Sequence, residues 1–143
     1  MGWRLRRDAR KSGFVSLIDT SAWVEFLRDT GSPVCLRVDQ LLETDAVVCE
    51  PVIMELLSGA RDEAQLANLR GLMARCTTLR TESVDYEVAA ALFRQCRRNG
   101  RTPRKMMDCL IAAVAIRNNV ALLHMDQDFV VLAENSELRL AEA

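Results

Sequence analysis

Val15-Ser16-Leu17-Ile18-Asp19-Thr20-Ser21 is the stretch that decides the fold. An apolar run ends on a carboxylate, and two hydroxyl residues follow. The run reads as a short strand buried on both faces, because nothing in it alternates with polar residues. Thr20 or Ser21 is a good N-cap, so a helix should start there and carry Trp23, Val24, Phe26 and Leu27 inward. Asp19 is left at the carboxyl end of the strand.

Working outward, the same alternation repeats. Gly31-Ser32-Pro33 ends the first helix, and a second spans about Pro33 to Glu43, with Val34, Leu36, Val38, Leu41 and Leu42 buried. Ala46 to Cys49 is the next strand. Pro51 suits a first helical turn, and the helix after it holds Glu55 within Val-Ile-Met-Glu-Leu-Leu. Residues 62–75 form an amphipathic segment through Leu66, Leu69, Leu72 and Met73, and Cys76 to Leu79 a third strand. From Glu82 to Asn99 the spacing of Val84, Val88, Ala91 and Leu92 predicts a long helix. Acids near its start, arginines near its end and Gly100 beyond match the helix dipole and a glycine stop. Thr102-Pro103 reads as the cap and first turn of a helix reaching Asn118. Val120 to Leu123 is a fourth strand, Asp128 to Glu134 a short helix, and Leu138 to Leu140 an edge strand. Strands separated by helices predict an α/β sandwich with a mainly parallel sheet of four to five strands. Such sheets bind ligands beyond the carboxyl ends of their strands.

Composition sets limits on function. With 143 residues the chain is one domain, expected over 15–143, preceded by a basic arm at 1–14 (Arg4, Arg6, Arg7, Arg10, Lys11). No apolar run is long enough to span a membrane, and no apolar core follows the arm, so no secretory signal is expected. Five scattered cysteines (Cys35, Cys49, Cys76, Cys96, Cys109), with no CxxC pair, argue against a disulfide framework or a structural zinc. They suit a reducing compartment, and the cytoplasm is the expected location. Net charge is −1, so global charge predicts no nucleic-acid binding. All but two of the 19 basic residues are arginine. That suits phosphate recognition, and a GC-biased genome gives the same skew.

Four acids look out of place. Asp19 ends a buried strand. Glu55 has apolar neighbours on both sides. Asp108 is the one charge between Met106 and Ile116, and a buried carboxylate without a partner costs several kcal/mol. Of Asp126 and Asp128, one should cap the last helix; Asp128 reads as the better cap and Asp126 as the better ligand. Two carboxylates about 4 Å apart repel by about 4 kcal/mol at an effective dielectric near 20, so such a group needs protons or a cation. Oxygen ligands select Mg²⁺ or Mn²⁺, and a lone His124 excludes a zinc centre or an imidazole pair. A carboxylate-held divalent ion activating water for phosphodiester cleavage is the chemistry left. Arg94 to Lys105 holds six basic residues, among them Arg98, Arg101, Arg104 and Lys105, that can grip nucleic-acid phosphates or simply be a solvated helix end. Arg104, one helical turn before Asp108, should face the site.

Four blocks then carry a resemblance: Leu17 to Trp23, Glu50 to Gly59, Met107 to Ala115 and Leu122 to Phe129. The chain resembles PIN-domain proteins of the VapC toxin type from about Val15 onward. The resemblance implies a three-layer α/β/α fold and Mg²⁺- or Mn²⁺-dependent endoribonuclease activity. It makes Asp19, Glu55, Asp108 and Asp126 the catalytic and metal-binding acids, with Asp128 a further acid of less fixed role and Ser21 a residue that positions water. It also implies a homodimer and a cognate antitoxin. The arm of residues 1–14 departs from the pattern, since such chains usually start almost at the first strand. The rival expectations are a non-catalytic RNA- or protein-binding module and a phospho-acceptor domain built on Asp19. The latter wants a lysine after a late strand, where neither Lys11 nor Lys105 lies.

Overall fold

A computed structural model describes residues 15–143; the arm expected at 1–14 lies outside the described residues. The elements are β1 (Ser16–Ile18), α1 (Thr20–Leu27), α2 (Pro33–Glu43), β2 (Val47–Cys49), α3 (Glu50–Ser58), α4 (Glu63–Ala74), β3 (Thr77–Leu79), α5 (Ser83–Arg98), α6 (Met106–Arg117), β4 (Ala121–Leu123) and α7 (Gln127–Glu134). The four strands pair in parallel in the order β3-β2-β1-β4. Helices cover the sheet, giving the expected α/β sandwich. Its centre is apolar on both faces: Leu17, Ile18, Val47, Val48, Leu122 and Leu123 are all essentially inaccessible. The runs without alternation were therefore strands of a sheet covered on both sides.

The order places β1 at the switch point. The chain leaves β1 toward β2 and β3, then crosses back to lay β4 on its other side. The carboxyl ends of β1 and β4 therefore lie side by side, at the place where such sheets take ligands. The Asp19 N–H donates to the Leu123 carbonyl at 3.0 Å, which extends the pairing as far as the acid itself.

Several expectations need correction. Leu27 and Leu36 are exposed, not buried. On α5 the buried residues are Asp85, Ala89, Leu92 and Cys96, while Val84 and Ala91 face outward. The inward face was hidden because a charge opens it. Asp85 is 1% exposed and is held by Arg117, whose Nε and Nη2 donate to its two carboxylate oxygens at 2.9 and 3.0 Å. Leu138 to Leu140 is not a full strand: it contributes a single parallel bridge, Leu140 to Leu122, beside β4. Gly100 follows α5 with φ +79°, a left-handed stop that a side chain would strain.

The largest correction concerns α6. Thr102-Pro103 does not start it; the helix begins at Met106, with Lys105 in the cap position. Asp108 therefore sits in the first turn, not mid-helix, and Arg104 is not one helical turn away from it. The physical reason lies in Arg104, whose backbone N–H donates to Asp128 Oδ2 at 2.9 Å. The segment before α6 is tied to the start of α7 rather than wound into helix.

Candidate active site

Each acid is delivered by a different end of the fold. Asp19 leaves β1 and caps α1: its Oδ2 accepts the Ser21 N–H at 2.9 Å and the Ser21 hydroxyl at 2.6 Å. The caps expected at Thr20 or Ser21 thus belong to the acid before them. Asp126 leaves β4 and caps α7, its Oδ1 accepting the Asp128 N–H at 3.0 Å. This corrects the expected cap, since Asp128 is not the cap but lies inside the first turn. Both carboxylates keep oxygen capacity beyond their caps, because a carboxylate accepts several hydrogen bonds.

Asp108 comes from the first turn of α6, where the helix dipole favours a negative group. It is 4% exposed, and its Oδ2 has no hydrogen-bond partner; the same is true of Oδ1 of Asp19, itself 3% exposed. Burial, and then the negative charges of Asp19 and Asp126, hold the Asp108 carboxyl up at about 7. Burial also raises Asp19, partly offset by its bonds to Ser21, with the Asp126 charge adding to the rise. The three acids therefore share one field.

One ligand oxygen each from Asp108, Asp126 and Asp128 lies within 4.8 Å of the others. The structure thus gathers Asp128 more tightly than the sequence suggested. Asp19 is not in that group, but its unpartnered buried oxygen and that of Asp108 are what a divalent cation would satisfy. The donor set, oxygen only, fits Mg²⁺ or Mn²⁺.

Glu55 stands at the margin. It is half-buried on α3, and its Oε1 accepts the Thr20 hydroxyl at 2.8 Å. It is not among the converging oxygens, although it and Asp19 both raise the Cys49 thiol, after burial. It also borders a cavity of about 350 Å³ with Val24, Arg28 and Leu69.

Three groups have positioning roles that the sequence did not announce. Thr20 aims Glu55. His124 Nδ1 accepts the Asp126 N–H at 3.1 Å, and its ring tilts against Phe129 at 5.4 Å; burial lowers its pKa, keeping that nitrogen free to accept. The Met125 N–H donates to the Ser21 hydroxyl at 2.8 Å, so Ser21 ties the loop after β4 to Asp19. Thr20 and Met125 each stand next to a site acid, and His124 two residues before one. Of the basic segment, Arg104 reaches the acids, pairing with Asp126 at 2.9 Å and Asp128 at 3.3 Å. Arg101 pairs with Glu134 and Arg98 bonds Gln95.

Residues 16–135 match the family described as the PIN domain. Ribonuclease VapC11 of Mycobacterium tuberculosis is 43% identical over 129 residues, 87% of this chain and 96% of that protein. VapC ribonuclease Mb1587 of Mycobacterium bovis is similar to the same extent. Among solved structures, VapBC-1 from nontypeable Haemophilus influenzae superposes with a TM-score of 0.72 at 19% identity, covering 90% of this chain and 97% of that one. VapBC2 from Rickettsia felis bound to a DNA fragment from its promoter gives 0.70 at 16% identity, covering 88% and 96%. Identities that low speak for the fold alone; the mycobacterial relatives speak for the family. The chain belongs to the PIN-domain family, in its VapC branch.

Proposed function

We propose that this chain is a divalent-metal-dependent endoribonuclease that serves as the toxin of a two-protein system, restrained by a cognate antitoxin. The convergence of Asp108, Asp126 and Asp128 carboxylate oxygens within 4.8 Å, with Asp19 in the same field, is the observation that carries it. The relatives named ribonucleases and the toxin–antitoxin complexes of like fold support the same reading. Partner binding, a homodimer and action in the cytoplasm are part of the proposal.

A Mg²⁺ or Mn²⁺ ion held by Asp19, Asp108 and Asp126 would supply a Lewis acid for the phosphate and lower the pKa of the attacking water. The chain's own residues do the rest. Asp128, gripped by the Arg104 backbone, fixes the entry of α7 and so the position of Asp126. Ser21 holds Asp19 and the Met125 loop in one arrangement, which sets where a water can sit between them. Glu55, steadied by Thr20, lies at the edge as the proton acceptor for that water or as an outer member of the cation's cage. Arg98, Arg101 and Lys105, exposed on the approach to α6, attract the RNA backbone.

Purified protein incubated with a mixed RNA pool should cleave with Mg²⁺ or Mn²⁺ and be silent in EDTA. Binding of RNA without cleavage under both conditions would leave only the binding-module reading.

A further inference from the structure

Arg104 makes contacts that cleavage chemistry does not require. Its backbone N–H and its Nε both donate to Asp128 Oδ2, at 2.9 and 3.3 Å, while Nη2 donates to Asp126 Oδ1 at 2.9 Å. Among the described residues, it alone forms ion pairs with the converging acids Asp108, Asp126 and Asp128. Its side chain is 70% exposed, so packing does not lock it there.

We infer that Arg104 is the site's built-in counter-cation, holding Asp126 until a divalent cation takes that carboxylate over. The inference rests on the metal-dependent reading above. The two grips differ in kind. Asp128 is held by a backbone N–H as well as by Nε, and the backbone donor stays wherever the guanidinium goes. Asp126 is held by one outer arm of an exposed side chain, and such surface pairs are worth little. A divalent cation carries twice the charge in a compact form, and two cations on one carboxylate repel. Arg104 is thus a positioning residue that stabilises the metal-free site and opposes loading. Asp128 remains its partner in both states. By linkage, whatever Arg104 contributes to the metal-free protein is subtracted from metal affinity.

Calorimetric titration of the full chain with Mn²⁺ alone tests this without reference to activity. Arg104→Ala should bind Mn²⁺ about three- to fivefold more tightly than wild type. Its metal-free melting temperature should fall, and the deficit should shrink at saturating Mn²⁺. Arg101→Ala, which removes a nearby charge paired with Glu134 rather than with the acids, should change the affinity by less than about twofold. If Arg104→Ala binds Mn²⁺ with unchanged or weaker affinity while wild type binds normally, the counter-cation role is wrong and the nuclease reading stands. If neither protein binds Mn²⁺, both are wrong.

Discussion

Replacing Asp108 by Asn keeps the shape of the side chain and removes one charge from the acidic group. Burial and the charges of Asp19 and Asp126 hold its carboxyl at about 7, roughly three units above an unfolded aspartate. At 1.36 kcal/mol per unit, that sets a ceiling of about 4 kcal/mol on the strain stored by ionising it. Coulomb's law gives a similar figure: oxygens within 4.8 Å of one another repel by about 3.5 kcal/mol per pair at an effective dielectric near 20. Solvent screening and the Arg104 charge reduce both figures, and Asn gives up about 0.5 kcal/mol of favourable dipole interaction in the first turn of α6. The metal-free Asn variant should therefore be about 1–2 kcal/mol more stable than wild type above neutral pH, or roughly 3–7 °C in melting temperature. The sign has a pH signature. The folded-state pKa of Asp108 is raised, so its contribution to stability is fully present near pH 4 and lost as pH rises through about 7. The gap between the proteins should be closed near about pH 4 and fully open above about pH 7. Melting in EDTA across that range, repeated with Mg²⁺, reads all of this. Added Mg²⁺ should stabilise wild type and leave the Asn variant unmoved. An Asn variant that melts lower than wild type in EDTA near about pH 8, or a gap indifferent to pH, would refute the reasoning.

Other substitutions separate structural acids from site acids. Arg117→Met strands the buried Asp85 carboxylate and should cost about 3–5 kcal/mol in urea denaturation, with Mn²⁺ affinity of the folded protein unaltered. A loss of Mn²⁺ affinity would mean that Asp85 belongs to the site. Ser21→Ala breaks both the Asp19 bond and the Met125 bond, and should lower stability by about 1–2 kcal/mol and slow RNA cleavage. Cleavage at the wild-type rate would remove Ser21 from the site. Thr20→Val releases Glu55 and should reduce kcat with little change in Mn²⁺ affinity, because Glu55 stands outside the converging oxygens. A large loss of affinity would instead put Glu55 in direct contact with the ion.

Most of the sheet was readable because its strands are buried on both faces: Leu17-Ile18, Val47-Val48 and Leu122-Leu123 have no polar side to confuse the period. Helices were harder wherever a charge goes inside. Asp85, Ala89, Leu92 and Cys96 follow one another at four, three and four residues, a buried stripe in plain view once an aspartate is allowed in it. The start of α6 was misplaced because Thr102-Pro103 has good local capping chemistry, and the competing bond from the Arg104 N–H to Asp128 spans 24 residues. No local pattern encodes that. The cap falling to Asp126 rather than Asp128 has the same origin: both suit a cap, and what decides between them is a partner distant in sequence. The candidate acids themselves were legible as charges set in apolar surroundings. Of their supports, Thr20 and the Met125 N–H act through tertiary contacts that no spacing announces, while His124 acts locally, two residues before Asp126.

The central claim is that these carboxylates share one hard cation. Anomalous diffraction from crystals grown with Mn²⁺ tests it directly. The account predicts a single dominant peak about 2.1 Å from carboxylate oxygens of both Asp108 and Asp126, with the Arg104 Nη2 withdrawn from Asp126. A map with no peak there at saturating Mn²⁺, or with manganese bound only elsewhere on the surface, would contradict it.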